Sequence, residues 1–273
     1  MKKISIVMAY WDHRKTQIIN TLNNFQESYV GKYDFEVIIV DDASSQDFKL
    51  DDILQKYTFP IKYILITAEE KGNRMNPCSA YNKGFKEAEG NIILIQNPEC
   101  FHVGDLLSQI IDKLNSKKYL VFSCFSANSE SISKELISLK DSKKISEKIK
   151  NNDFLKKNGN LGLNWYNHPT INNKPYHFCT AIYKSNIENM GGGFDENFAD
   201  GFCFDDDEFL LTIEHHLKLK IVSLTPDNGF VIHQWHIRPN TFDVHKASNE
   251  HPLKKKWLRN KKLFEEKKKR LGL

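Results

Sequence analysis

Apolar and polar positions follow two alternating rhythms along the first hundred residues. Lys3–Tyr10 is a β-branched run that ends in polar residues, and the stretch behind it sets Ile18, Ile19, Leu22 and Phe25 on one helical face. Phe35–Val40 is a near-continuous apolar run, the pattern of a parallel strand covered on both sides. A short helix is expected near Leu50–Tyr57, a strand near Lys62–Thr67, a helix over Pro77–Glu89 and a fourth strand over Asn91–Ile95. Pro77 suits the first turn of its helix and Gly90 its end. This β-α-β-α-β-α-β order predicts right-handed crossovers and an α/β fold with a doubly wound, mostly parallel central sheet covered by helices on both faces.

Beyond Phe101 the rhythm changes. A helix is expected at Asp105–Leu114 and a strand at Tyr119–Phe125, then a Ser/Lys/Asn/Glu-rich helical excursion over about 127–160. Regular structure returns at His177–Tyr183, Gly191-Gly192-Gly193 makes a turn, and Asp205–Leu217 reads as a helix. Strands near Lys220–Leu224 and Phe230–His233 follow, and 253–270 forms a lysine-studded helix anchored by Trp257, Leu258 and Phe264. The expected organisation is one domain over 1–250, with a ligand-binding half over 1–100 and a second half over 101–250. A basic helix closes the chain at 251–273.

Charge sharpens this division. The 273 residues carry a formal net charge of +4. Residues 251–273 hold ten Lys/Arg against two Asp/Glu, so the body is mildly acidic and the tail strongly basic. An acidic body argues against a nucleic-acid partner. The tail has two readings, a solvated helix packed on its apolar anchors or a basic face for peripheral membrane contact, and its narrow apolar stripe favours the first. No apolar run reaches the length of a membrane span, and the brief apolar start followed by Asp12–Lys15 does not read as a signal peptide. Five scattered cysteines without a Cys-x-x-Cys pair are expected to be reduced, buried thiols of a cytoplasmic protein.

In an open α/β sheet, ligands meet the loops at the carboxyl ends of the strands. Those ends are Ala9-Tyr10-Trp11-Asp12, Asp41-Asp42 and Gln96-Asn97-Pro98-Glu99. Asp41 and Asp42 suit the N3–H of a uracil ring or simple turn capping. Glu99 beside the Asn97 amide offers hard oxygen to a divalent metal, although Asn-Pro is also a common turn starter. Asp205-Asp206-Asp207-Glu208 places four acids in succession between Phe202, Phe204, Phe209 and Leu210. Dipole capping accounts for some of them, and partial burial would make another a general base. His233 and His236 lie three apart, on opposite faces if both are on one strand, so shared ligation needs a turn between them.

Several of these segments resemble one family. Ile4–Tyr10, Phe35–Ser45 with Val-Asp-Asp-Ala-Ser, and Asn76–Gly84 followed by Glu-Ala-Glu-Gly-Asn-Ile-Ile-Leu-Ile look like the opening of family 2-type glycosyltransferases of the GT-A fold. Gly192-Gly-Phe-Asp-Glu-Asn-Phe, Gly201-Phe-Cys-Phe-Asp-Asp-Asp-Glu-Phe and His233-Gln-Trp-His236 are similar to a galactosyltransferase-type C-terminal segment. The resemblance covers most of 3–125 and 175–240. It implies an inverting transfer of sugar from a nucleotide-sugar, a UDP-sugar first, to a saccharide hydroxyl in polysaccharide biosynthesis. It assigns nucleotide binding to Ala9, Tyr10, Asp41, Asp42, Arg74, Gln96 and Asn97, catalysis to Asp206 with Asp205 orienting the acceptor, and metal binding to Glu99, His233 and His236. The implied cofactor is Mn²⁺ or Mg²⁺. One departure stands out: the family's Asp-x-Asp is here Asn97-Pro98-Glu99, which leaves one anionic ligand. Trp165, Tyr166 and His168 are candidates for sugar contacts or for loop anchoring. The rival readings are a degenerate fold that only binds nucleotide or glycan, and a sugar nucleotidyltransferase, whose Gly-rich phosphate loop is missing after the first strand.

Overall fold

The computed structural model describes residues 3–151, 166–227, 229–237 and 243–273. Its first half holds β1 (Ile4–Tyr10), α1 (Lys15–Ser28), β2 (Phe35–Asp42), α2 (Asp51–Leu54), β3 (Ile61–Ile66), α3 (Ala68–Lys71), α4 (Cys78–Glu87) and β4 (Ile92–Gln96). The second half holds β5 (Cys100–Gly104), α5 (Leu106–Lys113), β6 (Lys118–Phe122), β7 (Cys124–Ser126), α6 (Glu130–Ser138) and α7 (Ser142–Asn151). Then follow β8 (Cys179–Tyr183), α8 (Lys184–Asn189), α9 (Asp205–Leu211), β9 (Lys220–Leu224), β10 (Gly229–His233) and α10 (Pro252–Arg270).

Seven strands form the main sheet in the order β3-β2-β1-β4-β8-β6-β9. Every neighbouring pair is parallel except the two that involve β8, which runs against both β4 and β6. Strand alternation explains the two cores. Ile4, Ile6 and Met8 of β1 face Ile18, Leu22 and Phe25 of α1, whereas Val7 faces Ala80, Tyr81 and Phe85 of α4 on the other side. A Cβ on Gly84 would overlap Val7, so this glycine lets α4 lie close against the sheet.

Three expectations need correction. The run Tyr119–Phe125 is broken at Ser123, because β6 belongs to the main sheet and β7 to a second one of order β5-β10-β7. The Ser123 hydroxyl donates to Leu224 O while its own carbonyl accepts from Val231 N–H, so this residue bridges the two sheets. Strand β5 had no counterpart in the periodicity, since its antiparallel partner β10 lies over a hundred residues further on. The helix begun at Asp205 widens into a π-helical turn over Thr212–His216.

The excursion is two helices, α6 and α7, as far as Asn151; its remainder lies outside the described residues. Four of the five cysteines are buried, but Cys203 is exposed. No helix among the described residues is long and apolar enough to cross a membrane. In α10, Trp257 and Phe264 pack on Phe204 as anchors and Leu263 joins them at the core, whereas Leu258 is exposed.

Candidate active site

The loops at the carboxyl ends of β1 and β2 are tied together. Tyr10 stands in register with Asp41, and the chain then turns through Asp12 at φ 35°. Asp12 N–H donates to Ser44 Oγ at 2.9 Å, and its carboxylate accepts Ser45 N–H at 2.8 Å. Both oxygens of Asp41 are occupied, one by Ser44 N–H at 2.7 Å and the other by the Tyr63 hydroxyl. Asp42 pairs with Lys71 at 2.8 Å, and the Lys71 ammonium stands 5.1 Å from the centre of the Trp11 ring. The Tyr10 hydroxyl turns away to donate to Phe48 O at 2.6 Å.

A cleft of about 480 Å³ opens beside these loops, lined by Ala9, Trp11, Arg14, Asn97, Glu99, Tyr166 and the start of α9. A second cavity of about 470 Å³ lies behind α1 and β5. It is away from the strand ends, and its Tyr29, His102 and Asn24 bond to one another structurally. Chemistry therefore points to the first.

The four acids of α9 are tolerated because a helix turns 100° per residue and sends each to a different partner. Asp205 is buried; that burial, followed by the charge of Asp206, pushes its carboxyl well above the usual range and so favours its protonated form. Asp206 Oδ1 stands 2.8 Å from His177 Nδ1, off the line of a straight hydrogen bond, with its side chain partly open to the cleft. Asp207 accepts from Lys174 and from the Tyr176 hydroxyl, each at 2.5 Å. Glu208 is buried against the Thr212 hydroxyl and the Lys267 ammonium. His177 is held among Tyr81, Phe194 and Phe178, so the ring is fixed before any ligand arrives.

Because Asp205 keeps a proton in the folded state that the unfolded chain releases near the ordinary aspartate pKa, stability falls as pH rises above that value. Asp205→Asn removes this titration. Its melting temperature is expected to exceed that of the wild type at pH 8, with the gap closing towards pH 4; thermal melts across that range check it.

Glu99, which also lines the cleft, is buried with His233 and His236, and one ligand atom from each lies within 4.8 Å of the others. Strand β10 ends at His233, so strand alternation does not separate the two rings; their centres are 5.2 Å apart. His233 Nε2 stands 3.4 Å and His236 Nε2 3.8 Å from Glu99 Oε1. Gln234 locks the arrangement by donating from its backbone and side chain to Glu99 O. Burial alone would raise the Glu99 carboxyl, but the His233 hydrogen bond and charge, with Arg14 and His236 near, hold it below the usual carboxylate range. Burial pushes His236 down to about 4, leaving a neutral imidazole at pH 7 whose buried Nε2 has no hydrogen-bond partner. One carboxylate and two imidazoles, one of them neutral at pH 7, form a donor set that fits a divalent cation such as Mn²⁺. Asn97 serves this trio indirectly: its Oδ1 accepts the Tyr81 hydroxyl at 3.0 Å and its amide points to Glu99 at 3.4 Å.

Of the residues singled out by the sequence, Ala9, Asn97, Glu99, Asp205 and Asp206 line the cleft, with His233 and His236 behind Glu99. Tyr10, Asp41 and Asp42 stand at the strand ends with internal partners. Gln96 and Arg74 do not join them. Gln96 falls on the far face of β4, where it bonds Cys100 O and His102. Arg74 folds back on the carbonyls of Lys71 and Glu70 at the end of α3. The cation at the cleft is Arg14, 3.8 Å from Glu99. Arg14 and His177 had no motif to mark them, because each meets its acid only through the fold. Trp165 lies outside the described residues; Tyr166 lines the cleft, and His168 caps a turn by accepting Thr170 and Ile171 N–H.

The glycosyl transferase family 2 model matches residues 5–173. No sequence relative is found among curated proteins. The fold resembles S. aureus TarS 1–349 in complex with UDP-GlcNAc, with 17% identity and a TM-score of 0.56, over 91% of this chain and 62% of that one. TarS 1–349 alone gives 18% identity and a TM-score of 0.55, over 84% and 60%. The mannosyltransferase PcManGT from Pyrobaculum calidifontis, in complex with GDP-Man and Mn²⁺, gives 14% and 0.53, over 85% and 56%. The chain thus spans about three-fifths of the length of these structures.

Proposed function

The chain belongs to glycosyl transferase family 2, and on that premise we propose that it moves a sugar from a nucleotide-sugar, with UDP-sugar as first choice, to a saccharide hydroxyl with inversion. The observation that carries this reading is that one cleft is lined both by a partly open aspartate, Asp206, and by Glu99, the acid of a buried Glu-His-His trio. Residues 1–100 hold the donor nucleotide and 101–250 the acceptor and metal, with 192–236 carrying the galactosyltransferase-type motifs. The backbone at Ala9 and Tyr10 lines the ribose. Asp42, which pairs with Lys71 through one oxygen, takes the base in preference to Asp41, both of whose oxygens have partners.

Asp206 accepts the acceptor's hydroxyl proton as that oxygen forms its bond to the anomeric carbon. The bond from this carbon to the diphosphate oxygen breaks with its electron pair, and nucleoside diphosphate leaves from the opposite face. A single displacement of this kind inverts the centre. Held by Glu99, His233 and His236, a divalent ion would offset the charge of the leaving group. Arg14, already beside Glu99, adds a cation at the same place. His177 holds one oxygen of Asp206 and so aims the base. Asp205, as a neutral acid, donates to the acceptor and orients it.

Incubation with a panel of nucleotide-sugars and saccharides, with and without Mn²⁺, tests the proposal. UDP release, a raised melting temperature with UDP-sugar plus Mn²⁺ and a product of inverted anomeric configuration are expected. A product of retained configuration, pyrophosphate formation, or binding without turnover would each overturn it.

A further inference from the structure

Helix α10 is polar along most of its length, yet it buries Asn260 completely. The Asn260 Nδ2 donates to Phe198 O at 2.9 Å and to Cys203 O at 2.8 Å. Asn76, which enters from the opposite side just before α4, donates to the same two carbonyls at 3.0 and 3.2 Å. Two amides thus grip both ends of one loop. Arg259 extends the hold, donating to Asn197 O at 2.7 Å and to the Asn260 side-chain oxygen at 2.9 Å. A Cβ on Gly201 would overlap the Asn260 amide, so the loop has no side chain where the amide sits. Phe204 packs against Trp257 and Phe264, with ring centres 5.4 and 5.7 Å away.

The gripped loop is conformationally costly. Cys203 and Phe204 adopt φ of 61° and 69°, left-handed geometry that non-glycine residues hold only when their surroundings impose it. These two residues line the cleft and lead directly into Asp205 and Asp206. Apolar packing alone would bury α10 without setting its register. A buried amide with all its groups bonded sets register and loop path together.

We propose that Asn260 is a positioning residue for the transfer reaction: the C-terminal helix clamps the 198–204 loop and thereby aims Asp206 into the cleft. The proposal rests on the glycosyl-transfer reading. The tail then acts on the acceptor side, without touching substrate.

The test uses the full chain. Asn260→Ala is expected to lower kcat about 10²-fold, the scale of a misplaced catalytic group, with the affinity for donor changing by less than about twofold. Gly201→Ala, which pushes the amide out, is expected to give the same split, and the double variant to be no slower than either single one. Ile110→Ala, in the core of α5 away from the cleft, serves as a destabilised control that keeps its kcat. Alkylation of the exposed Cys203, held in a left-handed backbone conformation by the gripped loop, is expected to accelerate in Asn260→Ala as the loop loosens. Labelling needs no substrate, so it tests the clamp even where the transfer reading fails. A kcat within about twofold of wild type, an equal loss in Ile110→Ala, or unchanged labelling of Cys203 would overturn the proposal.

Discussion

Asp206→Asn is expected to lower the turnover for sugar transfer by about 10²–10⁴-fold, the usual contribution of a positioned general base, while affinity for the donor and the melting temperature stay near wild-type values. The reasoning is geometric. Asn has the shape of Asp but cannot take a proton, and Asp206 is exposed enough that its replacement leaves no buried gap. Its neighbours give internal controls. Asp207→Asn loses the ion pair with Lys174 at the cleft mouth but keeps an oxygen for the Tyr176 hydroxyl, and is expected to cost less than about tenfold, since exposed pairs contribute little. Glu208→Gln disturbs a buried contact with Lys267 and is expected to lower the melting temperature more than the turnover. Steady-state kinetics with thermal melts on the three variants separates them. A turnover of Asp206→Asn equal to wild type would remove that residue from the mechanism.

Glu99→Ala is expected to abolish the rise in melting temperature that Mn²⁺ gives the wild type and to reduce turnover by about 10²-fold or more, since metal neutralisation of a leaving diphosphate is worth several kcal/mol. Glu99 is the sole acid of the trio, and without it two imidazoles and the nearby Arg14 offer a cation no counter-charge. His236→Ala keeps the carboxylate and is expected to weaken Mn²⁺ rather than abolish its effect. Titrating Mn²⁺ against melting temperature in the three proteins reads this directly. An undiminished Mn²⁺ shift in Glu99→Ala would rule out the trio as the metal site.

The elements of the first half were legible because their information is local. A buried parallel strand must be apolar on both faces and a packed helix must be apolar on one, so Phe35–Val40 and the Ile18–Phe25 stripe announce themselves without reference to distant residues. Strand β5 did not, because five residues after an Asn-Pro turn gain their identity from pairing with β10. The family resemblance assigned Arg74 to the nucleotide by its position in the sequence. Its guanidinium is taken by carbonyls one helical turn back, a competition that a motif cannot register.

The same division runs through the site. From the residues alone came the alternating α/β order, the three strand-end loops, the clustering of four acids at a helix start and the basic character of the tail. Which acid faces the cleft is a tertiary matter. A 100° helical step guarantees that the four point in different directions, but their partners, His177, Lys174, Tyr176 and Lys267, arrive from other segments. Glu99 meets His233 and His236 across more than 130 residues of chain because β10 pairs with β5. The ten positive charges of the tail suggested a surface helix. The one uncharged polar side chain of α10, Asn260, is what the folded chain buries, since its amide satisfies two carbonyls at once.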